Sequence, residues 1–266
     1  MPLKPIYQTF YTKASFLIFL SCFLVSLSYA QLGRRIVNVR DTSVGMTSFR
    51  PQAAFTIPLG EWRERTGFFY SVGGSILNKT ASQWLFGAEG YFFNGNRIKE
   101  KEHLQNLWNS SGAITAQDGL NGDVNRYFRG FAVSGLFGRL FPVGKPNMNS
   151  GFILTFGAGY MQHKIRTEVR QNNVWPLAKP YDKGYDRLSG GFMLSQFAGY
   201  QFVNNKRTIT FFAGIEFVEA MTTSYRKFNY DNQQKDTDWK FNGAFSIKGG
   251  WMFTIYHKKL SKEYYK

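Results

Sequence analysis

The chain offers few groups for catalysis: three histidines, His103, His163 and His257, and one cysteine, Cys22. A hydrolase would need one histidine as general base, a serine nucleophile beside it and an acid to orient the imidazole. His163, Ser189 and Glu219 fall near the same end of three strand-like segments, so the parts of a rim-located site acting on lipid or peptide exist. Nothing in the sequence around Ser189 marks it as a nucleophile. His103 lies in a long polar stretch with Glu100 and Glu102, and His257 lies in a basic tail. No two histidines have the helical or strand spacing of a metal site, so neither a metal nor a cofactor is expected. The sequence therefore points to a non-enzymatic protein, with the rim hydrolase as the alternative.

Two other sets of residues could serve binding or transport. Arg50, Gln52, Glu89, Glu216 and Lys248 share the polar parity of their segments. Charges on an enclosed face must pair to survive loss of water. They could form a gated polar path, in effect a small pore, or an ion-pair network that plugs the interior. The second set is Trp175, Tyr181 and Tyr185 among Lys179, Lys183 and Arg187, stiffened by Pro176 and Pro180. Aromatics interleaved with cations suit a glycan, lipopolysaccharide or a protein partner; the alternative is an interfacial aromatic girdle with ordinary loop charge.

The elements that must position these residues are strands. Segments near 46–57, 66–77, 82–93, 127–140, 151–165, 187–203, 208–221 and 239–253 alternate apolar with small or polar residues. In the last of them Trp239, Phe241, Phe245, Ile247, Trp251 and Phe253 fall on one parity. Lys240, Asn242, Ala244, Ser246, Lys248 and Met252 fall on the other. A period of two gives each set its own face. Phe211 and Ile215 fall on the aromatic face of their segment, opposite Glu216. Arg129 and Arg139 share a parity with Phe131, Val133 and Phe137; a bulge in that segment would account for this, and parity alone gives the two arginines no place. The connections alternate too: 78–81, 142–150 and 204–207 are short and turn-like, whereas 94–126, 166–186 and 222–238 are long and polar. The first connection, 58–65, is intermediate.

Lys4, Lys13, the apolar run 14–27, and Ser28 and Ala30 before Gln31 have the form of a cleaved signal peptide over 1–30. Cys22 sits inside the apolar run, not at its end, so lipidation fits poorly. The mature chain of 236 residues then has no cysteine, no disulfide framework and enough length for one domain. Aromatics make up 18% of the chain and glycines number 27, more than long helices accommodate. No later segment reaches the ~18 apolar residues of a membrane helix. The net charge is +16, or +14 without Lys4 and Lys13. The cations are scattered over turns, loops and tail, which fits anionic lipid or lipopolysaccharide rather than nucleic acid.

The alternation, a leader and short turns facing long loops predict an all-β, eight-stranded antiparallel up-and-down transmembrane barrel. A soluble lipocalin-like barrel would carry many solvated Lys and Glu on its polar face, whereas here that face is mostly Gly, Ala, Ser and Thr. The whole mature chain resembles small OmpA/OmpX-type outer-membrane barrels. Stretches such as Gly184-Tyr185-Asp186-Arg187-Leu188 and Phe197-Ala198-Gly199-Tyr200-Gln201-Phe202 resemble uncharacterised barrels of Bacteroidota. The resemblance implies a periplasmic segment over 31–45, a barrel over 46–253 and a basic periplasmic tail over 254–266, with both termini periplasmic. It implies scaffold, accessory or binding roles exercised through long outer loops. The family's closing strand often ends the chain on an aromatic; Phe253 or Tyr256 would fill that place here, with the tail beyond.

Overall fold

The structure is a computed structural model and describes residues 43–143, 146–171, 174–206, 209–226, 228–234 and 236–257. The leader over 1–30 with Cys22, the segment to residue 42 and the tail from 258 lie outside the described residues.

Period-two alternation becomes a closed antiparallel ring of eight strands. These are β1 (Met46–Gly60), β2 (Phe69–Lys79), β3 (Trp84–Gly95), β4 (Asp123–Pro142), β5 (Gly151–Gln171), β6 (Ser189–Val203), β7 (Thr210–Ser224) and β8 (Lys240–Trp251). A short segment, β9 (Phe253–Tyr256), continues β8 on β1 in unchanged register: Gln52 faces Gly250 and Phe49 faces Phe253. The interruption at Met252 lies beside Pro51, which has no N–H to give a ladder. Each strand pairs with the next, and β1 pairs with both β2 and β8, so no edge remains exposed. The ring extends to Tyr256.

The two faces separate as the parity requires. Outward side chains include Phe86, Phe92, Val133, Phe137, Phe156, Phe192, Ile215, Ile247 and Trp251, all well exposed. Inward positions hold Arg50, Glu89, Ser134, Ser195, Glu216, Ser246 and Lys248, all buried. Room for large rings comes from glycine: a Cβ at inward-facing Gly214 would meet Phe197 Cζ at 2.8 Å.

Two features differ from the sequence expectation. β4 runs in one register from Val124 to Pro142, and its only irregularity lies at Asp123/Val124. No bulge separates Arg129 from Arg139. Both face outward, at opposite ends of an apolar run. Arg139 lies 5.1 Å over the Trp84 ring, and Arg129 lies 5.3 Å over Tyr127. Second, β4 and β5 are 20 and 21 residues long, well beyond the ~9–11 that cross an apolar layer. Their polar tops do not alternate in hydrophobicity, so periodicity could not mark them as strand.

Candidate functional site

The lumen is occupied at three levels. At the end with the short turns, Lys79 is almost fully buried. Its Nζ donates to Val44 O at 2.9 Å, Ser43 Oγ at 3.1 Å and Asn149 Oδ1 at 3.1 Å. Asn149 O accepts from Gln201 Nε2 at 2.9 Å, and Gln201 Oε1 accepts from Arg50 Nη2 at 2.6 Å. The turn between β4 and β5 thus folds back under the ring and seals it. Lys79 and Gln201 were not singled out in the sequence. The inward parity of Leu77 and Lys79 was the available signal, hidden by reading Asn78 onward as turn.

At mid-height Lys248 Nζ donates to Glu89 Oε2 at 2.5 Å and to Glu216 Oε1 at 2.8 Å. All three side chains are 6% exposed or less. Tyr91 and Phe197 rings lie 6.0 Å and 5.6 Å from the ammonium. Arg50 does not join this cluster, contrary to the four-membered ion-pair network expected from parity. It makes no ion pair among the described residues. Its Nε donates to Ser48 Oγ at 2.9 Å, and its guanidinium lies 5.4 Å over Phe212. Parity fixes a face but not the height at which a long side chain ends. A cavity of about 20 Å³ lies between Arg50, Gln52, Ser75, Glu89 and Lys248, the size of one water. Glu89 Oε1 and Gln52 Oε1, on residues that line it, have no protein partner.

The upper level is aromatic. Gly60, at φ 59°, takes a left-handed conformation that suits glycine and turns the chain into the short helix α1 (Glu61–Arg65). The helix drops Trp62 into the barrel mouth, where it is 1% exposed. Its ring packs against Phe69, Phe93 and Phe128 at 5.5–5.9 Å. Trp62 Nε1 donates to His163 Nε2 at 3.3 Å. His163 is therefore a partner of the plug. Of the remaining parts of the conjectured hydrolase, Ser189 lies directly across the β5–β6 ladder from His163, but its Oγ donates to the backbone carbonyl of Arg187 at 3.1 Å instead. Glu219 has the outward parity of Phe217 and Met221, opposite to inward-facing Val218 and Ala220.

Above the mouth, the three long connections form one cap. Arg187 pairs with Glu100 and, at 3.0 Å, with Asp231 Oδ2, so one guanidinium ties three loops. Arg226 pairs with Asp186 at 2.5 Å. Leu104, Ile114, Ala116, Val174, Leu177 and Tyr185 form a small apolar core beneath. His103 Nε2 bonds Tyr185 O at 2.9 Å. Burial lowers the His103 pKa to about 3, and Arg187, Arg126 and Arg65 add to the fall against that bond. Burial likewise raises Asp231, outweighing Arg187. Of the aromatic triad noted in the sequence, Trp175 and Tyr181 pack with ring centroids 4.9 Å apart and planes tilted by 36°, and are 56% and 42% exposed. Tyr185 does not join them. It is 5% exposed and packs edge-on against Tyr230. Lys179 and Lys183, in the same connection as Trp175 and Tyr181, are exposed. His257, at the other end, bonds Thr47 Oγ1 at 2.9 Å.

No family model and no curated protein matches this chain. Among solved structures it is similar to Neisserial surface protein A, with 12% identity over 77% of this chain and 95% of that one, at a TM-score of 0.38. It is also similar to Ail, the attachment invasion locus protein of Yersinia pestis, solved in complex with the heparin analogue sucrose octasulfate. That match has 14% identity over 79% of this chain and 99% of Ail, at a TM-score of 0.35. The barrel described above rests on its own strand ring.

Proposed function

We propose that this protein is a non-conducting outer-membrane barrel that works as a binding or scaffold protein through its capped outer loops. The observation that carries the reading is occlusion of the lumen at three successive heights. The Lys79–Asn149–Gln201 network, the Lys248 triad and the Trp62 plug leave cavities near the triad of about 20 Å³ each. A hydrated ion path needs far more room, so the lumen serves stability and the chemistry open to a partner is outside. The outward apolar wall suits lipid, as in transmembrane barrels. On this reading residues 1–30 are a cleaved leader and both termini are periplasmic. The long loops face outward, and the Trp175–Tyr181 pair with Lys179 and Lys183 is the contact surface for a glycan or protein. Aromatic faces beside ammonium groups suit sugar rings and anionic substituents.

Two measurements on the purified, refolded mature chain test this. In planar bilayers it should show no steady single-channel current; large, stable openings would overturn the occluded-barrel half of the reading. On an array of bacterial and host glycans with purified lipopolysaccharide, it should bind at least one class. Trp175→Ala with Tyr181→Ala should weaken that binding. No binding to any class, or binding indifferent to both substitutions, would overturn the contact-surface half.

A further inference from the structure

A polar cleft of about 450 Å³ opens at the capped end, between the β3–β4 connection and the tops of β4 and β5. Its polar lining is Asn96, Arg97, Asn125, Arg126, Tyr127 and Arg170. It holds three guanidinium groups and no carboxylate. The volume lies within the range of small-ligand sites.

Three cations around one cleft repel each other; Glu100 and Asp231 near Arg126, and Asp123 and Glu168 near Arg170, offset part of that repulsion, but none of these carboxylates lines the cleft. Glu100 pairs with Arg187. Glu168 pairs with Arg166 at 2.9 Å and Arg129 at 3.6 Å. Asp123 accepts from Asn125 at 3.1 Å. Arg97, Arg126 and Arg170 form no ion pair among the described residues. Two of the side chains are anchored, and the third projects from a fixed backbone. The Arg97 carbonyl accepts from Gly67 N–H at 2.8 Å and from Thr66 Oγ1 at 3.1 Å, which fixes its backbone. Arg126 Nη1 donates to Glu100 O and His103 O at 3.3 and 3.4 Å. Arg170 Nη2 donates to Tyr127 OH at 3.3 Å. The guanidinium groups of Arg126 and Arg170, held in this way, lose little freedom when a ligand arrives.

We infer that this cleft binds a phosphate or sulfate ester carried on a sugar. Forked guanidinium donors match the several terminal oxygens of such esters better than a single carboxylate does. Asn96 and Asn125 supply neutral hydrogen-bonding groups of the kind hydroxyls need. The inference rests on the loop-binding reading above and gives it a ligand class and a second address, separate from Trp175 and Tyr181. The ester could come from a soluble anionic saccharide outside the cell or from the phosphorylated headgroup of an outer-leaflet glycolipid. Tyr127 has the outward parity of Arg129 and Phe131, which puts one wall of the cleft toward the lipid side.

The test uses the full mature chain, folded in a neutral detergent, with Arg97→Gln and Arg170→Gln introduced together. Both residues are exposed, so the barrel should fold, as gel mobility before and after boiling would verify. Dextran sulfate oligosaccharide is titrated against neutral dextran of the same length by calorimetry. Co-sedimentation with vesicles of phosphatidylcholine, with and without lipid A, forms the second arm. We expect wild type to bind a charged probe in at least one arm, to ignore the neutral one, and to lose affinity as salt rises. The double variant should bind at least tenfold more weakly. Binding to dextran sulfate assigns a soluble source; binding to lipid A vesicles alone assigns the headgroup. Undiminished binding of the charged probes by the double variant would overturn the cleft. If that binding then falls with Trp175→Ala and Tyr181→Ala, the loop-binding reading survives without it. Failure of both charged probes to bind wild type also overturns the cleft, and the glycan array then decides the broader reading.

Discussion

Lys248→Met is the sharpest test of the lumen. The substitution keeps an unbranched side chain, one heavy atom shorter, and removes one positive charge from between two carboxylates. Glu89 Oε2 and Glu216 Oε1 both touch the same Nζ, at 2.5 Å and 2.8 Å, so they cannot be further apart than those distances laid end to end. Two unit charges about 5 Å apart repel by about 3 kcal/mol at an effective dielectric near 20. Breaking one buried pair by removing a partner typically costs about 3–5 kcal/mol. We therefore expect Lys248→Met to destabilise the barrel by about 3–5 kcal/mol. The neutral triple variant, Lys248→Met with Glu89→Gln and Glu216→Gln, should recover most of that loss, because no charge is left without a partner. The assay is equilibrium urea unfolding in lipid vesicles, followed by tryptophan fluorescence. The midpoint should shift with little change in slope, so that the difference reports stability. A Lys248→Met midpoint within about 1 kcal/mol of wild type, or a triple variant no more stable than the single one, would refute the argument.

Trp62→Ala removes the aromatic plug and, as a fully buried ring, should cost about 3–5 kcal/mol in the same assay; a loss below 1 kcal/mol would mean that the mouth is closed by the cap alone. Ile215→Arg puts a cation on the outward wall beside Glu216 and should cost about 2–4 kcal/mol if that wall faces lipid, while single cysteines at 215 and 216 should be lipid-quenched and unquenched respectively. The cap should loosen in acid: His103 has a folded pKa near 3 against about 6.5 unfolded. Its neutral form is therefore favoured by folding, and the stability it contributes is complete above pH ~6.5. That stability falls by up to about 1.4 kcal/mol per pH unit on the way down to pH 3. Limited proteolysis of the loops should speed up over that interval in wild type and change less in His103→Gln.

The strand ring was legible in the sequence because a single physical rule writes it: alternate residues meet lipid-like or lumen-like surroundings, and Phe211, Ile215, Phe245 and Ile247 were sorted from Glu216 and Lys248 by parity alone. What periodicity could not supply is height and distant partnership. Arg50 and Lys248 share the lumen, yet only Lys248 reaches the carboxylates. The cap was less legible still. Arg187 meets a glutamate 87 positions away in sequence and an aspartate 44 positions away, and no local pattern encodes those pairings. Tyr185 looked like a third exposed aromatic because a loop sequence does not reveal that its loop has a core. Arg129 and Arg139 could not be placed because cations were not expected on an apolar wall. They belong there as its two borders. Ten residues at ~3.3 Å each, tilted by ~40°, span a height of about 25 Å, which is that of a transmembrane apolar band.

Those borders also explain why the most deeply enclosed charges lie where they do. Ser134 is halfway between Arg129 and Arg139, and its partner on β3 is Glu89. Lys248 faces Gly214 on β7, two residues from Glu216. The triad thus joins β3, β7 and β8 near mid-depth of the band. A slip of one residue turns every side chain of a strand to the other face. For β8 that slip would place Lys248 in the apolar layer, at about 2–4 kcal/mol, and leave Glu89 and Glu216 without their cation. The register error is penalised twice by one residue. An all-apolar lumen would pack as densely but would make each strand apolar on both faces, and a strand alike on both faces has little to hold its register. In a barrel whose outer wall is aromatic, the small, polar and charged residues of the lumen together tell the two faces apart, and the charges carry the largest penalty for a slip.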